Sequence, residues 1–147
     1  MTANQLFIKV IPDENLDIQK ISKKIRQLFP NGCQKILLIN PPTVTEQDFD
    51  LETAKRCAYS ATLPYGPALL YAQLQKAGYE VLIADINYEL LHRAHHDQNF
   101  SYNIWREILN QYIISFKPDL IGISGMFSTM HQCVIEAVRE SKKINPE

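Results

Sequence analysis

A chain of 147 residues, 46% of them hydrophobic, has the size of one globular domain with a single core and is too short for two ordinary ones. Its 15 basic and 16 acidic residues leave a formal net charge of -1, so no long-range field gathers nucleic acid or an anionic membrane, and neither is expected as a partner. The three widely spaced cysteines, Cys33, Cys57 and Cys133, form neither a disulfide framework nor a C-x-x-C motif. With no signal-peptide pattern at the start and no apolar run near the ~18 residues a bilayer requires, a reducing cytoplasm is the expected location.

In chain order, "FIKVI" (Phe7 to Ile11) reads as a short strand. Asn15 to Phe29 reads as a helix with apolar positions at Leu16, Ile18, Ile21, Ile25, Leu28 and Phe29, ended by Pro30-Asn31-Gly32. Residues 1–34 are therefore expected to be a strand-helix appendage, and 35–147 the main domain. "KILLIN" (Lys35 to Asn40) is a nearly continuous apolar run, the pattern of a parallel strand covered on both faces, and Pro41-Pro42 stops it. After a long connection, Pro64-Tyr65-Gly66-Pro67 opens a helix in which Pro67 fits the first turn, and Gly78 closes it.

"YEVLIADI" (Tyr79 to Ile86) is the second buried strand. Ile104 to Phe116 shows a helical face through Trp105, Ile108, Leu109, Tyr112, Ile113 and Phe116, broken by Lys117-Pro118-Asp119. "LIGIS" (Leu120 to Ser124) is the third strand. Ser128 or Thr129 is expected to cap a last helix with its stripe at Met130, Val134, Val138 and Ser141. Alternating strands and helices with buried strands predict an α/β, flavodoxin-like (Rossmann-like) doubly wound parallel sheet. Ligands of such sheets bind at the carboxyl ends of the strands, which directs attention to Asn40 to Gly66, Asp85 to Asn87 and Ser124 to Ser128.

The connection between Pro42 and Pro64 far exceeds the ~2–6 residues usual between a strand and a helix, and loops above ~12–15 are commonly binding loops, lids or mobile segments. It holds no G-x-G-x-x-G and no P-loop pattern, so nucleotide is a poor first guess. Tyr59, Leu63, Pro64 and Tyr65 at its far end suit a large, mostly apolar ligand. Asp48, Asp50 and Glu52 form an acidic patch without a partner that would mark an acid and base pair. "HRAHHD" spaces His92 and His96 four apart, a metal-chelating spacing on a helix. No acidic or cysteine partner is fixed beside them by the sequence, and a solvated loop is the preferred reading. His131, early in the last helix, is assigned a surface position.

The series "KILLINPP", "LPYGPALLYAQLQKAGYEVLIADIN" and "KPDLIGISGMFSTMHQCVIEAVRESKKINPE" resembles the N-terminal cobalamin-binding domain of cobalamin-dependent radical S-adenosylmethionine enzymes, across about Lys35 to Glu147. The resemblance implies a corrin ring held over the carboxyl edge of the sheet, with its dimethylbenzimidazole tail in a slot along it. On that reading Ser124 lies near the tail, Gly125 gives close approach, and Met126 and Phe127 supply apolar contact. Asn40, Pro41 and Pro42, with Leu63, Pro64, Tyr65 and Gly66, border the lower face of the ring, while Asp85 and Asn87 lie at the rim.

Two departures qualify the resemblance. Methionine-synthase-like cobalamin domains carry D-x-H-x-x-G after the first strand, whose His ligates cobalt, and the long loop here holds no histidine. The radical family's catalytic half binds S-adenosylmethionine and a [4Fe-4S] cluster through C-x-x-x-C-x-x-C, a spacing absent here. A methyltransferase or related radical-modifying enzyme is therefore expected only of a longer chain, with the radical domain following in the same polypeptide. "KKINPE" falls where the family continues into a fourth strand, so an incomplete sheet and possible self-association through its open edge are expected. The competing expectation is a non-catalytic flavodoxin-like binding or interaction domain. Receiver domains of that topology need acidic residues where this chain has Asn40-Pro41-Pro42.

Overall fold

The computed structural model describes residues 14–30 and 32–145, so the expected strand over Phe7 to Ile11 lies outside the described residues. The chain divides into two compact units between Cys33 and Gln34. In the first, helix α1 (Glu14–Leu28) ends with Arg26 in its last turn, where a cation favours the helix dipole. Its Ile21, Ile25 and Leu28 are exposed.

The second unit is an α/β assembly with a three-stranded parallel sheet. Its elements are β1 (Lys35–Asn40), α2 (Leu51–Lys55), α3 (Tyr65–Lys76), β2 (Glu80–Asp85), α4 (Ile86–His96), α5 (Ile104–Phe116), β3 (Leu120–Ile123) and α6 (His131–Ile144), with a single 3-10 turn, Ser128–Met130, before α6. The spatial order is β2-β1-β3, which puts the first strand in the middle. Lys35 to Asn40 pair in register with Glu80 to Asp85, and Ile36 to Ile39 with Leu120 to Ile123. The four central residues of β1 are buried, the pattern its continuous apolar run predicts.

Side-chain alternation along β1 sends Leu37 and Ile39 to one face, where they join Ala84, Ile86, Leu90, Trp105, Ile108, Leu109 and Ala137 in the main core. Alternation puts Ile36 and Leu38 on the opposite face of the sheet. Helix α3 packs against β1 and β2, α4 and α5 against β1, and α6 against β3 and α5. Gly78, at φ +92°, ends the α3 connection in a conformation that a side chain would strain, as its place in the sequence predicts.

Three expectations about the elements change. The histidine segment, read as a solvated loop, forms the second half of α4. Asp85 caps that helix by accepting from the Tyr88 N–H, and Ile86, Leu90 and Ala94 are buried at four-residue intervals. The last helix buries Met130, Cys133, Ala137 and Ser141, whereas Val138 is exposed; the stripe is turned relative to the valines. No side chain caps α6, so neither Ser128 nor Thr129 takes the expected role.

Candidate functional site

All three strands are parallel, so their carboxyl ends share one edge, and the segments after β1, β2 and β3 leave from it. At the centre of that edge the Asn40 side-chain amide donates to Asp85 Oδ1 at 2.8 Å, joining the ends of β1 and β2. The same oxygen accepts from Tyr88 N at 3.1 Å, so Asp85 serves at once as a helix cap and a strand-end bridge. On the other side of β1, Ser124 N donates to Ile39 O at 2.9 Å and carries the β3 ladder one residue past the strand.

Four large apolar side chains from the two flanking segments stand in solvent: Leu63, Tyr65, Met126 and Phe127 are 70, 68, 59 and 63% exposed. Single exposed apolar residues need no explanation, but four of them in the segments that leave one sheet edge direct attention to that edge. Pro64 is half-buried and Gly66 exposed beside them. Gly125, next to Met126, is exposed, and a Cβ there would meet Val134 Cγ2 of α6 at 3.0 Å. The backbone of the segment after β3 therefore lies so close to α6 that a methyl group at Gly125 fits only if Val134 gives by a few tenths of an ångström.

Three of the expected ring-bordering residues are in other surroundings. Pro41 and Pro42 are fully buried, so they are packing under the edge and present no surface. Asn87 is 3% exposed, and its carboxamide is engaged by the long loop. Its Oδ1 accepts from both N and Oγ1 of Thr43 at 3.1 Å, and its Nδ2 donates to Ser60 O at 3.3 Å. One side chain on α4 thus ties the two ends of the loop together.

The loop itself is folded. Asp50 caps α2 within it by accepting from Thr53 N at 2.7 Å, and the bond from the Thr53 hydroxyl, followed by this backbone one, holds the Asp50 carboxyl below its ordinary range. Phe49 stacks on Tyr59 at 5.5 Å and contacts Phe100 and Tyr102 at 5.5 and 5.1 Å. The Tyr102 hydroxyl donates to Val44 O, and burial, followed by the charges of Cys133 and Glu136, pushes its ionisation up. Asp48 and Asp50, read as an acidic patch, act as turn and cap residues: Asp48 accepts from the Thr45 hydroxyl at 2.6 Å. His131 is exposed at the start of α6.

Among the described residues no group of three His, Cys, Asp or Glu side chains is gathered to hold a metal ion, and no helix is long and apolar enough to cross a membrane. Cys57 is exposed, Cys33 half-buried and Cys133 buried, and burial raises the Cys133 thiol above its ordinary range.

No family model and no solved structure matches the chain. Among curated proteins it is similar to the cytidylyl-2-hydroxyethylphosphonate methyltransferase of Streptomyces wedmorensis, with 33% identity over 118 residues. That alignment covers 78% of this chain and 21% of the relative, so the chain spans about a fifth of the length of the methyltransferase it resembles.

Proposed function

We propose that this chain is the cobalamin-binding module of a radical S-adenosylmethionine methyltransferase. The observation that carries the reading is the rim of Leu63, Tyr65, Met126 and Phe127 at the carboxyl edge, in a chain similar to a methyltransferase. The strand order β2-β1-β3 is the first half of the flavodoxin-like order 2-1-3-4-5, whose switch point lies between β1 and β3, the strand ends that bear this rim. The outer edge of β3 pairs with no strand among the described residues, and a fourth strand of a complete flavodoxin-like sheet would pair there.

The residues fit a corrin in that Leu63, Tyr65, Met126 and Phe127 offer exposed apolar contact at the carboxyl edge, and Gly125 leaves exposed backbone beside Met126 and Phe127. When bound, such a cofactor supplies a cobalt centre able to carry a methyl group. The chain's own part is to hold it: Leu63, Tyr65, Met126 and Phe127 exclude water from the ring, Ser124 offers a hydroxyl to the tail, and Asn40 with Asp85 fixes the strand ends beneath. An iron-sulfur cluster does not fit the described residues, since the three cysteines are dispersed over Cys33, Cys57 and Cys133. Cluster and S-adenosylmethionine chemistry would belong to polypeptide outside this region.

Titration with hydroxocobalamin, followed by absorbance, tests the reading. A saturable spectral change that weakens in Phe127→Ser supports it. No change at high micromolar corrin leaves a non-catalytic interaction module.

A further inference from the structure

Outside the carboxyl edge, the folding of the long loop against α4 gathers a second set of groups. A cavity of about 190 Å³ is lined by Cys57 and Tyr59 of the loop and by Tyr88, His92, His95 and His96 of α4. The sequence has no cysteine near the histidines, and the neighbouring Asp97 is not among the residues that line this cavity; the fold supplies Cys57, 38 positions before His95 in the chain. Its Sγ lies 3.8 Å from His95 Nδ1. The His92 and His96 rings stack with centroids 4.3 Å apart, and His95 meets His96 edge-on at 4.8 Å.

The ring nitrogens are already sorted. His96 Nδ1 lies 2.8 Å from His92 O, and His95 Nδ1 lies 3.1 Å from Lys55 O. A carbonyl oxygen only accepts, so both Nδ1 atoms carry the proton and both Nε2 atoms keep a lone pair. A backbone carbonyl holding the far nitrogen is the arrangement that orients metal-ligating histidines. Cys57 sits after α2 at φ +54°, a left-handed helix-end position usually given to glycine.

We propose that Cys57, His92, His95 and His96 form a binding site for a zinc-like divalent metal ion, one that clamps the long loop to α4. One thiolate and three imidazoles are the donor set that late first-row ions prefer in tetrahedral sites. As the side chains stand, the donors do not meet at one point. His95 and His96 are held by their carbonyls, so closure falls to Cys57 and His92, both exposed and able to turn. None of the four belongs to the carboxyl-edge rim, and the proposal is independent of corrin binding.

The test is a titration of the reduced 147-residue chain with Co2+, which occupies zinc sites and gives a sulfur-to-metal charge-transfer absorption only when a thiolate ligates. The expected result is a band that saturates at one equivalent, is displaced by Zn2+, persists in Cys33→Ser and vanishes in Cys57→Ser with unchanged circular dichroism. His92→Ala and His96→Ala are each expected to weaken Co2+ binding at least about tenfold. Bound Zn2+ is also expected to slow proteolysis between Thr43 and Leu63 in the wild type and not in Cys57→Ser. Absence of the band in the wild type, its persistence in Cys57→Ser, or wild-type affinity in both histidine variants overturns the proposal.

Discussion

Asn87 holds Thr43 by a single carboxamide oxygen that accepts from both its backbone N–H and its hydroxyl, each at 3.1 Å. Asn87 is 3% exposed and also donates to Ser60 O, so it joins β2's helix to both ends of the β1 connection. The loop is therefore tied to the fold at both ends by one buried side chain. Truncation to Asn87→Ala removes the two bonds to half-buried Thr43 and the one to Ser60 O, a loss of about 1–3 kcal/mol at roughly 0.5–1.5 kcal/mol per bond. Urea denaturation measures that loss, and proteolysis between Thr43 and Leu63 is expected to accelerate more than cleavage elsewhere. Unchanged stability would show that the aromatic cluster of Phe49, Tyr59, Phe100 and Tyr102 suffices to hold the loop.

Gly125 tests packing and ligand approach separately. A methyl group at Gly125 presses on Val134 Cγ2 at 3.0 Å, so Gly125→Ala is expected to destabilise by about 1–3 kcal/mol unless α6 shifts. Adding Val134→Ala makes room within the fold and should return part of the lost stability, because the two sites are in contact and their effects do not add. If the corrin tail passes Gly125, the double variant still binds hydroxocobalamin poorly. Recovery of both stability and binding would assign Gly125 to helix packing alone.

The rim is expected to behave in the opposite way. Leu63 and Phe127 are 70 and 63% exposed, so Leu63→Ser and Phe127→Ser remove little buried area and should leave folding stability within about 0.5 kcal/mol of wild type. Corrin affinity should fall in both, and the solubility of the isolated chain should rise. A large drop in melting temperature in either variant would mean that the residue packs inside the folded chain in solution.

The three strands are legible because runs such as Ile36 to Ile39 have no other use for so many consecutive branched side chains. The boundaries are less so: Ile86 continues the apolar run of β2, yet Asp85 caps a helix there and Ile86 becomes its first residue. Helix α4 is hidden because only two of its inward positions, Ile86 and Leu90, are large and apolar, the others being Asn87 and Ala94, and its last turn is Arg93, His95 and His96. The turn of α6 has a similar origin. Glu140, 8% exposed, lies on the buried face because Lys143 at 2.7 Å and Arg106 at 4.0 Å accompany it, and nothing near Glu140 in sequence announces Arg106. At the candidate site, the exposed members Leu63, Tyr65, Met126 and Phe127 are legible as apolar residues in or beside the connections that leave the strand ends. The burial of Pro41, Pro42 and Asn87 depends on how the loop folds back, which no local period encodes.

Asp119 offers a pH-dependent check on the sheet. Its Oδ2 accepts from Gln34 N at 2.7 Å and Lys35 N at 2.8 Å, and its own N–H donates to Lys35 O at 2.8 Å, so the starts of β1 and β3 are fastened reciprocally. The backbone N–H of Lys35, then that of Gln34, stabilises the charged form and holds the carboxyl below its ordinary range. A carboxyl whose folded pKa is depressed contributes stability that is present above its unfolded pKa and lost as pH falls through the folded value. Wild type is therefore expected to exceed Asp119→Asn in stability at neutral pH, with the gap closing between about pH 4 and the more acid folded pKa. The carboxyl is solvent-accessible and the stabilisation is correspondingly small, so the readout is the shape of the pH profile. Denaturation midpoints collected from pH 7 downward for both proteins provide it. Parallel profiles, with a constant gap down to the acid transition, would show that the carboxylate charge plays no part in fastening the strands and that only the backbone bond from Asp119 N to Lys35 O does.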